Sequence, residues 1–302
     1  MGAVLLRSGC YVLIIVLGFL LRRWGTLREE DFRVISTLVI KVTLPAAVIV
    51  NFNGKELPPA MLSLALLGLV CASLYMAVGY LTHRHASAEE KAFFLLNYSS
   101  YNVGNFTLPF VQSFLGPVGV ISAGLFDVGN AMVCLGGAAA VARSVRDGEK
   151  ISLRRLLRPL PRTVSLVTYV IMTVLTLLRI RLPGPVLDLA QIIANANVFL
   201  SLLMIGVGLR LSGEKRQRAE ILRFLVSRYS VAVVLALLCW FFLPFEEIVR
   251  RTVVVLLFAP VAGSNLPFTR EMQGDIGLAS AMNSATIACS IPVIVALLTL
   301  MA

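Results

Sequence analysis

Long apolar blocks recur along the whole chain, and they constrain its fold more than any other feature of the sequence. Each block is about 19–27 residues long, close to the roughly 20 residues that a helix needs to cross a bilayer. Short charged or Pro- and Gly-containing segments separate the blocks, and none of them is long enough to form a soluble domain. The sequence therefore predicts an all-α integral membrane protein.

Ten blocks meet this test, and we number them as predicted spans 1 to 10. Span 1 has no small-residue cleavage site and is followed, not preceded, by Arg22 and Arg23, so we expect it to be retained rather than cleaved as a signal peptide. Span 6 is the weakest, because its clean apolar run covers only Val164–Leu178. In chain order the spans are Ala3–Leu21, Val34–Phe52, Ala60–Leu81, Ala92–Leu115, Val118–Val141, Thr163–Leu182, Val186–Leu209, Ile221–Leu243, Thr252–Met272 and Ile276–Ala302.

Composition agrees with this class and points to no metal or cofactor. The chain is 58% hydrophobic and 14% charged, whereas soluble domains are about 45–50% apolar and about 25% charged. Five cysteines lie inside the spans without metal-site spacing, and we expect them to act as small apolar side chains. These are Cys10, Cys71, Cys134, Cys239 and Cys289.

The distribution of basic residues predicts the orientation in the membrane. The net charge is +11, and 20 of the 27 Lys and Arg residues follow odd-numbered spans, whereas 6 lie on the opposite side. Lys and Arg accumulate in cytoplasmic loops of membrane proteins. This asymmetry predicts a multi-pass protein of the cell membrane, inner or plasma, with both termini outside. The basic charge is thereby explained without nucleic-acid binding.

An internal repeat divides the spans into two halves. When the sequence is offset by 158 residues, Pro109-Phe110 falls on Pro267-Phe268, and six identities occur in a gapless window of fifteen residues. The halves are residues 1–142 and 163–302, and a basic cytoplasmic linker at 143–162 joins them. Since each half has five spans, the second half enters the membrane from the other side. Such inverted repeats are typical of secondary transporters.

Both repeat windows contain a helix-breaking segment at membrane depth, at residues 97–109 and 260–267. Proline removes a backbone donor and disrupts the helix, and freed backbone groups are tolerated only in a protein interior or along a water-filled cavity. Two half-helices that start there would direct their positive ends to one anion site. Prolines that merely kink two helices are the alternative. The predicted substrate-binding residues here are Asn102, Asn105, Pro109, Asn265 and Pro267.

Ionisable residues at membrane depth are expensive and need a partner or a role. Lys41 in span 2 and Asp127 in span 5 are predicted to pair with each other, or Lys41 binds a substrate carboxylate while Asp127 carries a coupled proton. A purely structural pair is the third reading. His83 and His85, near two glutamates, are expected to form a solvated cytoplasmic turn rather than a metal site.

Several motifs in order resemble the auxin efflux carrier family, which includes bacterial malonate and malate permeases and is similar to the plant auxin exporters. The resemblance implies ten helices in two inverted five-helix repeats, with spans 4 and 9 broken and crossing at the substrate site. The chain departs from the family at Lys41, where members often have Asn. The motifs are Thr43-Leu44-Pro45-Ala46-Ala47, Gly104-Asn105-Phe106-Thr107-Leu108-Pro109, Leu125-Phe126-Asp127-Val128-Gly129-Asn130, Asn195-Ala196-Asn197 and Gly274-Asp275.

These features predict a secondary transporter that moves a small organic anion, such as malonate, malate or an auxin-like acid, by alternating access. An anion channel or a membrane-embedded sensor of the same ligands is the alternative. H+ or Na+ is the candidate coupling ion, lipid is the surrounding partner, and a homodimer is left open. An enzyme is not expected, because paired acidic motifs and a His-Glu-x-x-His helix are missing from the sequence.

Overall fold

The computed structural model describes residues 2–28, 30–152, 158–209 and 217–301, and within these ranges its regular secondary structure is helical, without strands. Beyond short turns, the described residues form twelve helices. In chain order they are α1 (Gly2–Arg23), α2 (Asp31–Phe52), α3 (Pro59–Thr82), α4 (Ala88–Tyr98), α5 (Leu108–Phe114), α6 (Gly116–Asp147), α7 (Val164–Leu177), α8 (Gly184–Gly208), α9 (Arg218–Phe242), α10 (Glu247–Leu257), α11 (Asn265–Glu271) and α12 (Ile276–Leu300).

Every predicted span contains a helix, and spans 4 and 9 are each divided into two. Within the described residues, six helices are long and apolar enough to cross a membrane, namely α2, α3, α6, α8, α9 and α12. The chain is therefore a multi-pass membrane protein, while ten crossings in an inverted repeat remain a prediction. α6 continues to Asp147, so the first residues of the predicted linker are helical, and residues 153–157 of that linker lie outside the described ranges.

Local sequence explains where two functional helices begin. Ser87 and Glu90 form a capping box at the start of α4, in which the Ser87 hydroxyl accepts from the Glu90 backbone N–H at 3.2 Å. Asp275 caps α12, since its carboxylate accepts from the Leu278 N–H at 2.8 Å. Both caps lie at the membrane side that the charge pattern predicts to be cytoplasmic.

Glycines allow two helix pairs to approach at backbone distance. Gly18 and Gly206 lie between α1 and α8, and Gly68 and Gly129 lie between α3 and α6; a side chain at any of them would overlap a carbonyl oxygen of the facing helix. Small residues of this kind are how membrane helices pack closely, because lipid provides no hydrophobic driving force between them. α2 packs on α7 and α8, and α4 packs on α3 and α6. A large cavity lies between the α1–α2–α8 side and the broken helices.

Candidate functional site

The two interrupted helices meet at their breaks. The first break, residues 99–102, separates α4 from a π-helical turn (Val103–Thr107) that leads into α5; the second break, residues 258–264, separates α10 from α11. The backbone N–H of Asn102 donates to the carbonyl of Pro260 at 2.8 Å. One hydrogen bond thus joins the two breaks directly, so freed backbone groups of each are satisfied inside the protein, as membrane depth requires.

A buried arginine holds the carbonyl ends of both leading half-helices. The guanidinium of Arg228, on α9, donates to the carbonyls of Tyr98 at 2.6 Å, Ser100 at 3.0 Å and Ala259 at 3.2 Å. It also lies over the ring of Tyr75, 4.3 Å from its centroid. The residue is only 1% exposed. Its positive charge therefore faces the negative ends of α4 and α10, where dipoles favour a cation.

Sequence reasoning missed Arg228. In the charge pattern Arg228 belongs to the basic residues after span 7 and was predicted to be cytoplasmic. In the structure it is the eleventh residue of α9 and lies at the crossing. Its position ten residues inside an apolar helix was the signal that could have identified it. Moving one cation out of the basic set leaves the strong charge asymmetry, and hence the predicted orientation, unchanged.

Two asparagines complete the hydrogen bonding of the first break. Asn130, on α6, accepts from the Tyr101 N–H through Oδ1 and donates to the Tyr101 carbonyl through Nδ2, both at 2.9 Å. Asn265, on α11, donates to the carbonyls of Leu96 at 2.9 Å and Ser99 at 3.3 Å. Four helices therefore contribute to fixing this segment: α4 itself, α6, α9 and α11.

Most side-chain partners of the second break come from α12, in addition to Arg228 on α9, which donates to Ala259, and Cys134 on α6, whose thiol lies 2.9 Å from the Ser264 hydroxyl. Asn283 donates to the carbonyl of Val261 at 2.9 Å, Thr286 accepts from the Val261 N–H at 3.2 Å, and Ser290 donates to the carbonyl of Phe258 at 2.7 Å. The end of this break is open, because Gly263 is exposed and lines the cavity.

A cavity of about 1100 Å³ reaches the crossing from one side. Arg33 and Glu30 at the start of α2 and Arg270 near the end of α11 lie at its mouth, and all three are exposed. These are the ends that the charge pattern predicts to be cytoplasmic, so on that orientation the cavity opens inward. Its polar inner lining consists of Tyr101, Asn102, Asn105, Asp127, Asn130, Cys134, Ser264, Ser280, Asn283 and Ser284.

The structure brings four of the seven predicted site residues to this cavity. Asn102, Asn105, Pro267 and Asp127 line it. Pro109 does not: it is buried in the first turn of α5. The remaining two, Asn265 and Lys41, do not line the cavity either.

Asn265 lies behind the cavity wall rather than in it. The residue is 2% exposed, and its amide nitrogen is used by the carbonyls at the end of α4, while its Oδ1 has no hydrogen-bond partner among the described residues. Its position favours a structural bridge between α11 and α4. The repeat pattern located this residue at the crossing, but it did not reveal which way the side chain points.

Lys41 and Asp127 do not pair. Lys41 is exposed in the π-helical turn of α2, does not line the cavity, and makes no ion pair or hydrogen bond with the described residues. It lies on the outer surface among apolar side chains, where a long stem can carry the ammonium toward the membrane interface. Asp127 instead accepts from the Asn130 amide at 2.9 Å and lies close to Gly104 in the floor of the cavity.

The expectation of a solvated histidine turn was wrong for His83. This residue is buried, its ring stacks on Phe94 with centroids 3.4 Å apart, and its Nε2 lies 3.6 Å from a carboxylate oxygen of Glu220. Short-range sequence could not show this, because the covering residues come from α4 and α9. His85 is exposed, as predicted.

The site combines amides, hydroxyls and one carboxylate at its floor with two arginines and one glutamate at its mouth. Amide and hydroxyl groups bind carboxylates by hydrogen bonds, and the mouth cations raise the local concentration of anions. Among the described residues, no cluster of His, Cys, Asp or Glu has the geometry of a metal site. The arrangement is that of a polar binding pocket.

Comparison with protein families supports the resemblance noted in the sequence. The model of a family described as "Membrane transport protein", which is the auxin efflux carrier family, matches residues 11–156. That range runs from the middle of α1 to just beyond α6 and includes the first break and Asp127. No curated protein matches the chain.

Proposed function

Since residues 11–156 match the model of the auxin efflux carrier family, a family of membrane transporters, we propose that the chain carries a small organic anion by alternating access. The observation that carries this proposal is the meeting of two broken helices at the floor of a deep cavity whose exposed charged lining residues, Glu30, Arg33 and Arg270, lie at the predicted cytoplasmic side. In secondary transporters, substrate sites form where discontinuous helices expose backbone groups near the bilayer midplane.

The charges of the cavity favour an anion. Arg33 and Arg270 lie at the mouth, and the first turn of the half-helix that includes α5 directs its N–H groups toward the floor. Asn105 lines this floor and makes no hydrogen bond with the described residues, so its amide is free to bind a carboxylate. We propose malonate, malate or an auxin-like aromatic acid as the substrate.

Asp127 is the proposed proton site. It is the one carboxylate at the floor of the cavity in the described part of the chain, and its negative charge would oppose an anion in the same space. Protonation of Asp127 removes this repulsion, so an anion and a proton would bind together. The carboxylate has a single hydrogen-bond donor, Asn130, and Lys41 is too poorly placed to neutralise it.

Uptake into proteoliposomes tests the function. The purified protein, incorporated with either an inward or an outward pH gradient, is offered labelled dicarboxylates and aromatic carboxylic acids. We expect at least one carboxylate to accumulate above protein-free liposomes and to exchange with the same unlabelled anion. Absence of carboxylate transport across the whole panel would contradict the proposal, and large single-channel currents in a bilayer would favour the channel alternative.

The variant Asp127→Asn separates proton coupling from substrate movement. We expect Asp127→Asn to lose pH-driven accumulation while it retains exchange of internal for external anion, because the variant mimics the protonated state. Lys41→Met serves as the matched control at a membrane-depth charge outside the cavity, and we expect it to retain both activities. Full pH-driven accumulation by Asp127→Asn would exclude Asp127 as the proton carrier.

A further inference from the structure

The crossing encloses a cation that has carbonyl oxygens as partners instead of a carboxylate. Arg228 is 1% exposed, and its three hydrogen-bond acceptors are the carbonyls of Tyr98, Ser100 and Ala259. Among the described residues no ion pair to Arg228 is found. Burying an uncompensated charge is costly, so the dipoles of these carbonyls and the ring of Tyr75 must stabilise the guanidinium.

Carbonyls of this kind have a known use in transporters built from broken helices. Unwound backbone carbonyls and the C-terminal ends of half-helices coordinate the coupling Na+. Oxygen ligands and a local negative potential are what such a cation needs, and the ends of α4 and α10 offer both. In this chain those carbonyls already have a cationic partner.

The neighbouring carbonyls at the first break also accept hydrogen bonds from side chains. Asn265 donates to Leu96 and Ser99, and Asn130 donates to Tyr101. A sodium ion would therefore have to displace protein donors, including a charged one, before it could collect enough oxygen ligands. The carbonyl cluster around Arg228 therefore does not fit an additional cation.

We infer that Arg228 is a tethered cation that takes the place of a coupling sodium ion at the crossing. Arg228 does not line the cavity, so it acts as a positioning residue that holds the ends of α4 and α10 together rather than as a substrate ligand. It follows that Na+ does not bind among these carbonyls and does not drive transport from this site. The last statement rests on the proposed function, whereas the occupancy of the carbonyls does not.

The first test uses the wild-type protein without substrate, so its outcome is independent of whether an organic anion is carried. The thermal midpoint of the detergent-purified protein is measured in NaCl, KCl and choline chloride at equal ionic strength, together with binding of radioactive Na+. We expect equal midpoints and no saturable Na+ binding. A midpoint raised by Na+ alone, or stoichiometric Na+ binding, would overturn the inference.

The second test removes the guanidinium group from the carbonyl cluster. In choline chloride, Arg228→Ala should lower the thermal midpoint by roughly 5–10 °C, because several buried carbonyls lose their donors. Addition of Na+ or low millimolar guanidinium should recover part of this loss, since either cation can enter the vacated space. The control Arg223→Ala removes an exposed cation of the same helix that pairs with Glu220, and we expect no cation response from it.

A conservative pair keeps the test decisive if Arg228→Ala does not fold. Arg228→Lys retains a cation, whereas Arg228→Met retains a similar length without the charge. We expect Arg228→Lys to keep a higher midpoint than Arg228→Met and to remain insensitive to added Na+. Equal midpoints for the two variants, or an Arg228→Ala protein that no cation stabilises, would show that the charge of Arg228 is not what the crossing requires.

Discussion

The two breaks are equivalent in the sequence repeat and different in their chemistry. The first is held by side chains from three other helices, with Arg228, Asn130 and Asn265 bonded to its backbone. It even fixes Ser100 in a left-handed conformation, with φ of 64°, which is strained for a residue other than glycine. The second is held mainly by three side chains of α12, with Arg228 bonded to Ala259 and Cys134 to Ser264, and it contains the exposed Gly263.

This difference suggests a division of labour at the crossing. A segment with most of its carbonyls and N–H groups bonded to surrounding helices gains little freedom when a substrate binds. A segment that contains an exposed glycine beside the cavity can adjust at low cost. The first break is therefore the proposed rigid reference of the site, and the second is its proposed adaptable side.

Among these variants, Asn130→Ala is expected to cause the largest loss of stability, because it acts on the rigid first break. The variant removes both hydrogen bonds to the Tyr101 backbone and the one to Asp127. Since an unsatisfied buried group costs about 1–3 kcal/mol, we expect a loss of about 3–6 kcal/mol of stability, seen as a large fall of the thermal midpoint. Asn130→Asp keeps the acceptor for the Tyr101 N–H and should lose less; an equal loss would argue against the two-bond bridge.

Asn265→Ala should have an intermediate effect. It removes the amide that donates to two carbonyls at the end of α4, but no donor loses its acceptor, because Oδ1 has no partner among the described residues. We expect the thermal midpoint to fall by an amount that corresponds to about 1–3 kcal/mol, with substrate affinity little changed in the protein that folds. A selective loss of affinity at an unchanged midpoint would instead place Asn265 among the substrate ligands.

Asn283→Ala tests the adaptable second break, and we expect it to reduce stability less than Asn265→Ala does. It removes one hydrogen bond, to the carbonyl of Val261, at a partly buried position where water from the cavity can replace it. We expect a loss of about 0.5–1.5 kcal/mol. If Asn283→Ala destabilises the protein as much as Asn130→Ala, the two breaks are equally rigid and the comparison fails.

Asn105→Ala should leave stability almost unchanged and affect binding alone. Its side chain lines the cavity and has no hydrogen bond with the described residues. Loss of one hydrogen bond to a charged ligand costs about 1.5–3 kcal/mol, or roughly ten- to hundredfold in affinity. The measurement is the dissociation constant of the transported anion, with the thermal midpoint recorded beside it. Wild-type affinity would remove Asn105 from the site.

The sequence predicted the positions of helices and breaks well because both depend on local chemistry. Apolar blocks of bilayer length form helices, and paired Pro and Gly segments interrupt them. The motifs around Asn105 and Asp127 likewise pointed to residues that line the cavity. Depth along a helix is readable from residue number alone.

What the sequence could not supply was the direction of each side chain. Lys41 lies at membrane depth but on the outer surface, and Asn265 lies at the crossing but behind its wall. Arg228 faces the breaks because α9 packs against α3 and α10, a contact between distant segments. In helices that are apolar all round, no amphipathic pattern reveals which face meets the protein.

Substrate protection of Cys134 tests the central claim most directly. Its thiol lines the cavity and lies 2.9 Å from the hydroxyl of Ser264 in the second break. In a variant that keeps this cysteine alone, a small thiol reagent should modify it, and the transported carboxylate should slow the modification in a saturable manner with the concentration dependence of transport. A modification rate that stays unchanged at saturating carboxylate would contradict a substrate site at the crossing.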